Sequence, residues 1–280
     1  MSGAVPLKQA GLLGDTAERD YSGKLQTFNA FAEPELRAAI RDLNLEPGMR
    51  ILDAGCGAGE ALRWFAEECG GSCEIIGVDL SAAHGAKARA LNPAARVLQA
   101  DLTQDIEVRD LDLVWCVNTI NHLRDPHDGA RRLASLLKPG ARLALGQSSL
   151  VPDMYFAWDA RLERVTNEAV RHYYRDRYGL RETDLKGVRS LLGVMRRAEL
   201  RNVRARTRII ERTSPLDLAS RNYLFDTIFR NTWGPRLRPY LEDADYAELS
   251  RLCDADDPAF ALNRPDFHFL QSFTVVTGET

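Results

Sequence analysis

The sequence predicts a doubly wound α/β domain, a Rossmann-like parallel sheet with helices on both faces. Two observations lead to this prediction. Between residues 48 and 147, short strand candidates alternate with stretches of helical periodicity. A glycine-rich turn at Gly55–Gly59 follows the first of these strands and opens the first helix. Strands that alternate with helices form a parallel sheet covered on both faces.

The strand candidates of this region are residues 50–53, 74–79, 96–99, 111–117 and 142–145. Helices are predicted between most of them, at residues 60–68, 82–91 and 128–137. Gly70-Gly71 should end the first of these helices and Pro139-Gly140 the last, since both pairs interrupt helices.

The residues before this region divide into a flexible leader at 1–20 and a helical cover at 21–47. Pro34 suits the first turn of a second helix within the cover, where its missing N–H costs nothing. Apolar residues recur at helical spacing after it and predict a packed face, at Leu36, Ile40 and Leu43.

Residues 148–280 should form a helical substrate lid together with the last two strands of a seven-stranded sheet. The strand candidates are 203–211 and 267–276, and helical insertions stand before and after the first of them. Arginines alternate with smaller or apolar residues along 203–211, so one strand face should be basic. That face is either a solvated outer surface or a binding surface for an acidic ligand.

Composition restricts the class of protein without naming a function. The 280 residues are 45% hydrophobic and 28% charged, as in ordinary globular proteins. A formal net charge of −3 gives no indication of nucleic-acid or anionic-membrane binding. No apolar run approaches the roughly 18 residues of a membrane span, and the first residues lack the order of a secretory signal. We therefore expect a cytoplasmic protein.

Five cysteines form an odd number, which argues against a complete disulfide framework. The spacing of Cys69 and Cys73 suggests a metal site, but no second Cys or His pair stands nearby at zinc-ligand spacing. We therefore expect reduced thiols and no metal.

The strongest functional signal is the run from Asp53 to Glu60, which reads Asp-Ala-Gly-Cys-Gly-Ala-Gly-Glu. A glycine turn at this place lets the backbone approach a ligand that faces the helix N-terminus. Twenty residues after Gly59, Asp79 ends the next strand and is suited to bind ribose hydroxyls. Two details argue against a nicotinamide site. Such a site would place glycine where Glu60 stands, and here an acidic residue, Asp53, also stands two positions before the first glycine.

This run resembles the first motif of class I S-adenosylmethionine (SAM)-dependent methyltransferases. The resemblance continues in chain order through four further runs: Gly77-Val78-Asp79-Leu80-Ser81, Gln99-Ala100-Asp101-Leu102, Asp112-Leu113-Val114-Trp115-Cys116-Val117-Asn118 and Leu137-Lys138-Pro139-Gly140. Ala141 departs from the pattern, because the family often has a second glycine there. Five elements in the same order are more specific than any one of them.

The resemblance implies SAM as cofactor and assigns the first motif to its methionine end. Gly55, Cys56, Gly57 and Gly59 would line the methionine moiety. Asp53 would lie near the methionine amino group.

The later motifs are assigned to the rest of the cofactor. Asp79 would bind the ribose hydroxyls, with Leu80 against the adenine. Asp101 and Leu102 match the position that contacts the adenine edge, and Asn118 ends the strand beside the sulfonium.

Catalysis needs chiefly the alignment of a nucleophile with the methyl group. His122 is the first candidate for a general base, because small-molecule members of the family often carry histidine at this place. It could equally be a capping or packing histidine. Tyr21 is the second candidate, because the N-terminal helices of related enzymes fold over the cofactor mouth. The alternative for Tyr21 is a surface or packing tyrosine.

The resemblance implies methyl transfer to a small molecule, a secondary metabolite, with neither nucleic acid nor membrane as partner. Many aromatic residues follow residue 148, and a few of them facing the pocket would suit a flat, electron-rich acceptor. A weaker likeness favours C-methylation of an indole-like ring, with O- or N-methylation of another metabolite as the alternative. Two further alternatives are a nucleic-acid methyltransferase, suggested by the arginines between 161 and 212, and a SAM-binding protein that transfers no methyl group.

Overall fold

A mixed sheet of eight strands is the centre of the part of the chain that this computed structural model describes, residues 22–123, 125–149, 155–156, 159–178 and 187–280. The predicted leader at 1–20 and the catalytic candidate Tyr21 lie outside the described residues. The strands are β1 Arg50–Ala54, β2 Glu74–Asp79, β3 Arg96–Gln99, β4 Leu111–Val117, β5 Leu137–Ser148, β6 Tyr155–Phe156, β7 Arg201–Thr213 and β8 His268–Glu279.

The strand order is β3-β2-β1-β4-β5-β8-β7, with the first five strands parallel and β8 antiparallel to its neighbours. The two-residue β6 pairs with Phe269 and Leu270 of β8. It lies on the same edge of β8 as β5, which pairs with residues 273–279. Apart from β6, the sheet has the predicted seven strands. The predicted fold class is therefore confirmed.

The helices cover both faces of this sheet. They are α1 Ser22–Arg41, α2 Glu60–Glu68, α3 Ala82–Leu91, α4 Pro126–Ala134, α5 Ala160–Tyr178, α6 Leu191–Arg197, α7 Leu218–Asn222, α8 Gly234–Leu237 and α9 Asp243–Cys253. A π-helix spans Tyr223–Trp233, and single 3₁₀ turns lie at Ile120–His122, Gly187–Ser190, Arg238–Tyr240 and Ala261–Asn263. None of the described helices is long and apolar enough to cross a bilayer.

Two apolar layers hold these elements together, one on each face of the sheet. On one face, Trp115 of β4 and Phe273 of β8 pack in the same cluster as Phe31 of α1. On the other face, Val114 of β4 packs in a cluster with Leu133 of α4. Successive residues of β4 thus enter opposite layers, which is the alternation expected of a strand buried on both sides.

The N-terminal cover is one continuous helix, so the predicted second helix at Pro34 is wrong. Helix α1 runs through Pro34 without ending. Phe31 and Leu36, on either side of the proline, are 2% and 3% exposed in the same apolar layer. Their packing offsets the backbone hydrogen bond that an internal proline removes.

The boundaries of the helix predicted at 128–137 are also wrong. Helix α4 begins earlier, because the Asp125 side chain accepts hydrogen bonds from the N–H groups of His127 and Asp128 at 2.9 and 3.1 Å. It ends at Ala134, and Leu137 pairs with Leu111 as the first residue of β5. Pro139-Gly140 therefore lies within an irregular strand rather than stopping a helix.

The expectation of reduced thiols is wrong for Cys69 and Cys73, which form a disulfide with 5.9 Å between their Cα atoms. Helix α2 ends at Glu68, and Gly70 and Gly71 both have positive φ angles. This turn folds the chain back and brings the two cysteines together. The other cysteines are free thiols, Cys56, Cys116 and Cys253.

The basic face of β7 lies against α1. Arg208 donates to the Ala38 carbonyl at 3.3 Å and forms an ion pair with Asp42, and Arg212 forms a bidentate pair with Glu35 at 2.8 and 2.9 Å. The side chains of these two arginines are 15% and 14% exposed. For Arg208, both predicted alternatives are wrong, because this arginine binds the cover helix to the sheet. Arg212, just beyond the predicted run, does the same.

Candidate functional site

The glycine-rich turn joins β1 to α2 and is fastened to the end of β2. The N–H groups of Gly55 and Cys56 both donate to the Val78 carbonyl, at 2.7 and 3.0 Å. The N–H of Gly57 donates to Asp79 Oδ2 at 2.9 Å. Burial raises the pKa of the Cys56 thiol, so this side chain stays neutral. The turn therefore holds its backbone beside the carboxylate that the sequence assigns to ribose.

The turn admits glycine alone at two positions. Gly55 has φ +84°, and a Cβ there would lie 2.3 Å from Thr119 Oγ1. Gly59 has φ +93°, and a Cβ there would lie 2.9 Å from the backbone of Ala88. Both a left-handed backbone and a lack of space exclude side chains here. At Gly57, the nearest neighbour of an added Cβ would be Leu25 of α1, so the cover helix passes over the turn.

Three groups orient the Asp79 carboxylate at the end of β2. Oδ2 accepts from Gly57, as described above. Oδ1 accepts from the Ser81 N–H at 2.9 Å and lies 3.2 Å from His84 Nδ1. A carboxylate held on both oxygens has a defined direction and still has lone pairs for a ligand.

Asp53 is a buried acid beside two others. It is 4% exposed, and burial together with the charges of Asp79 and Glu60 raises the pKa of Asp53 to about 8. No hydrogen-bond donor within the described residues reaches its carboxylate. Glu60 accepts a hydrogen bond from Asn29 of α1 at 3.0 Å. Asp53 and Glu60 have no ion-pair partner among the described residues, and a positively charged ligand would relieve the repulsion.

The residues assigned to adenine follow β2 and β3. Gln99 Nε2 donates to the Leu80 carbonyl at 3.2 Å, which ties the two strand ends together. Asp101 Oδ1 accepts from both the N–H and the hydroxyl of Thr103 at 2.8 Å. Leu80 and Leu102 are half-buried and pack against the same apolar layer.

Asn118 connects the ends of β4 and β5. It has φ +53°, its Oδ1 accepts from the Ser148 N–H at 2.8 Å, and its own N–H donates to the Gly146 carbonyl at 2.8 Å. Its side-chain amide also approaches the Ser148 hydroxyl at 3.4 Å. The Asn118 side chain is therefore engaged in joining the end of β4 to the end of β5.

His122 lies in the 3₁₀ turn that follows β4. Burial lowers the pKa of His122 below its ordinary value, and a hydrogen bond to the Asn118 backbone partly opposes this effect. The imidazole is therefore neutral near pH 7 and has a lone pair that can accept a proton. This state is the one that a general base needs.

An aromatic cluster of Phe28, Phe31 and Tyr223 packs in the apolar layer that contains α1, and Gln271 of β8 is buried next to Ser149. Tyr223 of the π-helix stacks on Phe31 with ring centroids 4.3 Å apart, and Phe28 meets its edge at 5.6 Å. Gln271 Nε2 donates to the Ser149 carbonyl at 2.9 Å, while its buried Oε1 has no hydrogen-bond partner among the described residues. Burial raises the pKa of Tyr223, which stays a neutral phenol.

Sequence reasoning assigned no role to His84, Glu60 or Gln271. Glu60 was noted only as a departure from a nicotinamide motif. Gln271 is a polar residue within the aromatic and β-branched run at 267–276. This departure from the pattern is the signal that could have identified it. The residues assigned to the cofactor, by contrast, lie at or just after the carboxyl ends of β1 to β4, where parallel sheets bind their ligands. Within the described residues, no group of three or more His, Cys, Asp or Glu side chains could hold a metal ion.

A family model described as a methyltransferase domain matches residues 51–140. The chain is 35% identical over 115 residues to the malonyl-[acyl-carrier protein] O-methyltransferase of Enterobacter lignolyticus, covering 40% of this chain and 44% of that protein. It is 31% identical over 118 residues to the 27-O-demethylrifamycin SV methyltransferase of Amycolatopsis mediterranei, covering 39% and 42%. The chain thus spans less than half the length of these relatives.

The fold also resembles solved structures. The YcgJ protein from Bacillus subtilis superposes with a TM-score of 0.53 at 17% identity, covering 88% of this chain and 98% of that one. At this identity the likeness concerns the fold alone. The matched segment of the family model contains the glycine turn, Asp79, Asp101, Asn118 and His122. The residues assigned to the cofactor and to catalysis, Tyr21 apart, therefore lie in the part of the chain that matches a methyltransferase domain.

Proposed function

We propose that this protein binds SAM and transfers its methyl group to a small-molecule acceptor. One observation carries the proposal: acidic side chains from β1, β2 and α2 surround a glycine turn that admits no side chain at Gly55 or Gly59. A site of this kind suits a ligand that is cationic, needs close backbone approach and presents hydroxyl donors. SAM has all three properties.

Different residues would bind different parts of the cofactor. The raised pKa of Asp53 and the position of Glu60 support a role for these two acids in binding the positive charges of the methionine end. Asp79 would accept the ribose hydroxyls with the lone pairs that its protein donors leave free. The half-buried Leu80 and Leu102 would enclose the adenine, with Asp101 at its edge.

His122 would act as the general base. Bound SAM supplies a methyl group on a good leaving group, so the protein must align the acceptor and remove its proton. The lowered pKa of His122 supports this role, since the neutral ring can take a proton at pH 7. Its hydrogen bond to Asn118 would fix the ring beside the end of β4. We retain Tyr21 as a second candidate for a catalytic group.

The finer proposal is C-methylation of an electron-rich, indole-like ring of a secondary metabolite. The aromatic cluster supports it, because Phe28 is half-buried and an aromatic ring can stack on a flat acceptor. Methylation of a hydroxyl or an amine is the alternative, and the names of the O-methyltransferase relatives favour the hydroxyl.

A nucleic-acid methyltransferase is a weaker alternative. It rests on the arginines between 161 and 212, and several of these are already engaged by acids. Arg161 pairs with Asp245 at 2.6 Å, and Arg212 pairs with Glu35. Such pairing reduces the positive charge available to phosphates.

The first experiment is calorimetric titration of the purified chain with SAM and, separately, with NAD(H). We expect micromolar SAM binding and no NAD(H) binding. A folded, ligand-free sample that binds no SAM would overturn the proposal. Transfer of labelled methyl from SAM to indoles, phenols and amines would then identify the acceptor atom. SAM binding without a methylated product on any acceptor would favour a SAM-binding protein that is not an enzyme.

A further inference from the structure

A buried histidine contacts the carboxylate proposed to bind ribose, yet it lies outside every motif described above. His84 is the third residue of α3 and is 6% exposed. Its Nδ1 lies 3.2 Å from Asp79 Oδ1, and its backbone N–H donates to the Ser81 hydroxyl that caps the helix. The start of α3 thus places the His84 imidazole next to Asp79, the last residue of β2.

We propose that His84 is a positioning residue for the cofactor, because its Nδ1–H holds Asp79 in the orientation that binds the ribose hydroxyls. The inference rests on the proposed function, since it assumes that Asp79 meets the ribose of SAM. His84 itself would touch Asp79 and not the cofactor.

The electrostatic setting explains why a side-chain donor is useful here. Asp79 lies near Asp53, and repulsion between the two carboxylates is one cause of the raised pKa of Asp53. Two backbone N–H groups, of Gly57 and Ser81, hold one oxygen each. His84 adds the side-chain donor in this set. Hydrogen bonds to an ionised acceptor are stronger than neutral ones, so a third donor restricts the carboxylate further.

A role in packing alone accounts poorly for this residue. A buried imidazole is costly unless it is hydrogen-bonded, and an apolar side chain would fill the same space at lower cost. The other buried positions of α3 are Gly85 and Ala88, which are small and carry no polar side chain. The polar group is therefore best explained by its partner, Asp79.

Three substitutions separate the hydrogen bond from the volume. In His84→Asn, the amide nitrogen takes the place of Nδ1 and keeps the donor to Asp79. In His84→Gln, the amide nitrogen takes the place of Nε2, so the donor is misplaced. In His84→Leu, the donor is lost while the bulk remains. We expect SAM affinity to fall about tenfold in the Leu and Gln variants and to stay within about twofold in the Asn variant.

Calorimetry with SAM gives the affinities, and the thermal midpoint of the unliganded protein checks that each variant folds. A double-mutant cycle adds a second readout. In an Asp79→Asn background, His84→Leu should weaken SAM binding by no more than about twofold, because the partner that it orients is already altered. With an identified acceptor, the loss should appear in KM for SAM and not in kcat.

Equal affinity in all three variants and the wild type would overturn the inference. So would an Asn variant as weak as the Leu variant, or an undiminished His84→Leu effect in the Asp79→Asn background, since either result indicates a structural role. Failure of the proposed function looks different, because the wild-type protein itself would then bind no SAM.

Discussion

The two halves of the sheet differ in the charged groups that lie next to helix α1. In the half formed by β1 to β4, Asp53 and Glu60 lie close together without an ion-pair partner in the described residues. In the half formed by β5 to β8, Arg208 and Arg212 pair with acids of α1. Charge left unbalanced inside a protein is costly and is retained where a ligand will balance it. Charge paired across elements instead holds the architecture together.

Helix α1 belongs to both halves. Its Asn29 donates to Glu60 beside the glycine turn, and Phe28 and Phe31 form part of the aromatic cluster. Its other contacts, to β7, lie on the antiparallel side. A change on the structural half can therefore reach the ligand half through this helix, and the predictions below separate the two effects.

The largest effect is expected at the turn. Gly55→Ala would place a Cβ within 2.3 Å of Thr119 Oγ1 at φ +84°, so we expect a loss of SAM affinity of about a hundredfold or more. Gly48→Ala is the matched control, because Gly48 has φ +83° with open space around it. Both variants carry the same backbone strain, and only the first has the clash. Equal SAM affinity in the two variants, measured by calorimetry, would contradict the assignment of this turn to SAM binding.

The next effect is on turnover. His122→Ala should lower kcat about a hundredfold while SAM affinity is unchanged, because the proposed base acts on the acceptor and not on the cofactor. His127→Ala, on the neighbouring helix α4, is the control and should leave kcat within about twofold. The measurement is the initial rate of methyl transfer with the acceptor identified above. Normal turnover by His122→Ala would remove His122 from catalysis.

A pH dependence of SAM affinity should follow from Asp53. Its pKa is about 8 in the unliganded protein, so the carboxyl is mostly protonated at pH 7. A cationic ligand favours the ionised form, so binding should release a proton and affinity should rise as the pH increases from 6 to 8. We expect about tenfold per pH unit in the lower part of this range. Calorimetry in buffers of different ionisation enthalpy counts the protons, and Asp53→Asn should release none from this position.

The same raised pKa predicts the sign of a stability change. Between the ordinary pKa of an aspartate, near 4, and about 8, folded Asp53 binds more protons than the unfolded chain does. Its contribution to the free energy of unfolding therefore falls as the pH rises through this window. Asp53→Asn should flatten the dependence in urea titrations at pH 5.5 and 8, and an unchanged slope would argue against a buried acid here.

The smallest effect is expected on the structural half. Arg212→Gln leaves the largely buried Glu35 unpaired and should lower the free energy of unfolding by about 2 kcal/mol. Arg204→Gln, at an exposed position on the same face of β7, should change it by less than about 0.5 kcal/mol. Urea titration of both variants gives the comparison. Equal effects would mean that the pair with Glu35 contributes nothing to docking α1.

Sequence patterns predicted the strands of the cofactor half well. The bounds of β2, β3 and β4 agree with the predicted residues, and so do those of α2 and α3. These elements are short, apolar and bounded by glycine or polar turn residues, so local periodicity determines them. Pro34 and Pro139-Gly140 misled the prediction, because distant packing partners overrode a local preference for chain breaks.

The candidate site divides in the same way. The glycines, Asp53 and Asp79 could be selected from sequence, because a tight turn and a ligand restrict the residue types at fixed spacing. Gln271 and Tyr223 could not, because they lie far apart in the chain and acquire meaning only through the pairing of β8 and the position of the π-helix. The same holds for the link from α1 to Glu60.

The sequence by itself determined the fold class, the residue ranges of its central strands and the place of the glycine turn, since backbone conformation and the period of burial are local properties. Only the tertiary structure decided that the arginines of β7 hold α1, that Cys69 and Cys73 form a bond and that His84 reaches Asp79. The physical reason is that ion pairs, disulfides and side-chain hydrogen bonds depend on distances between segments, which no local pattern encodes.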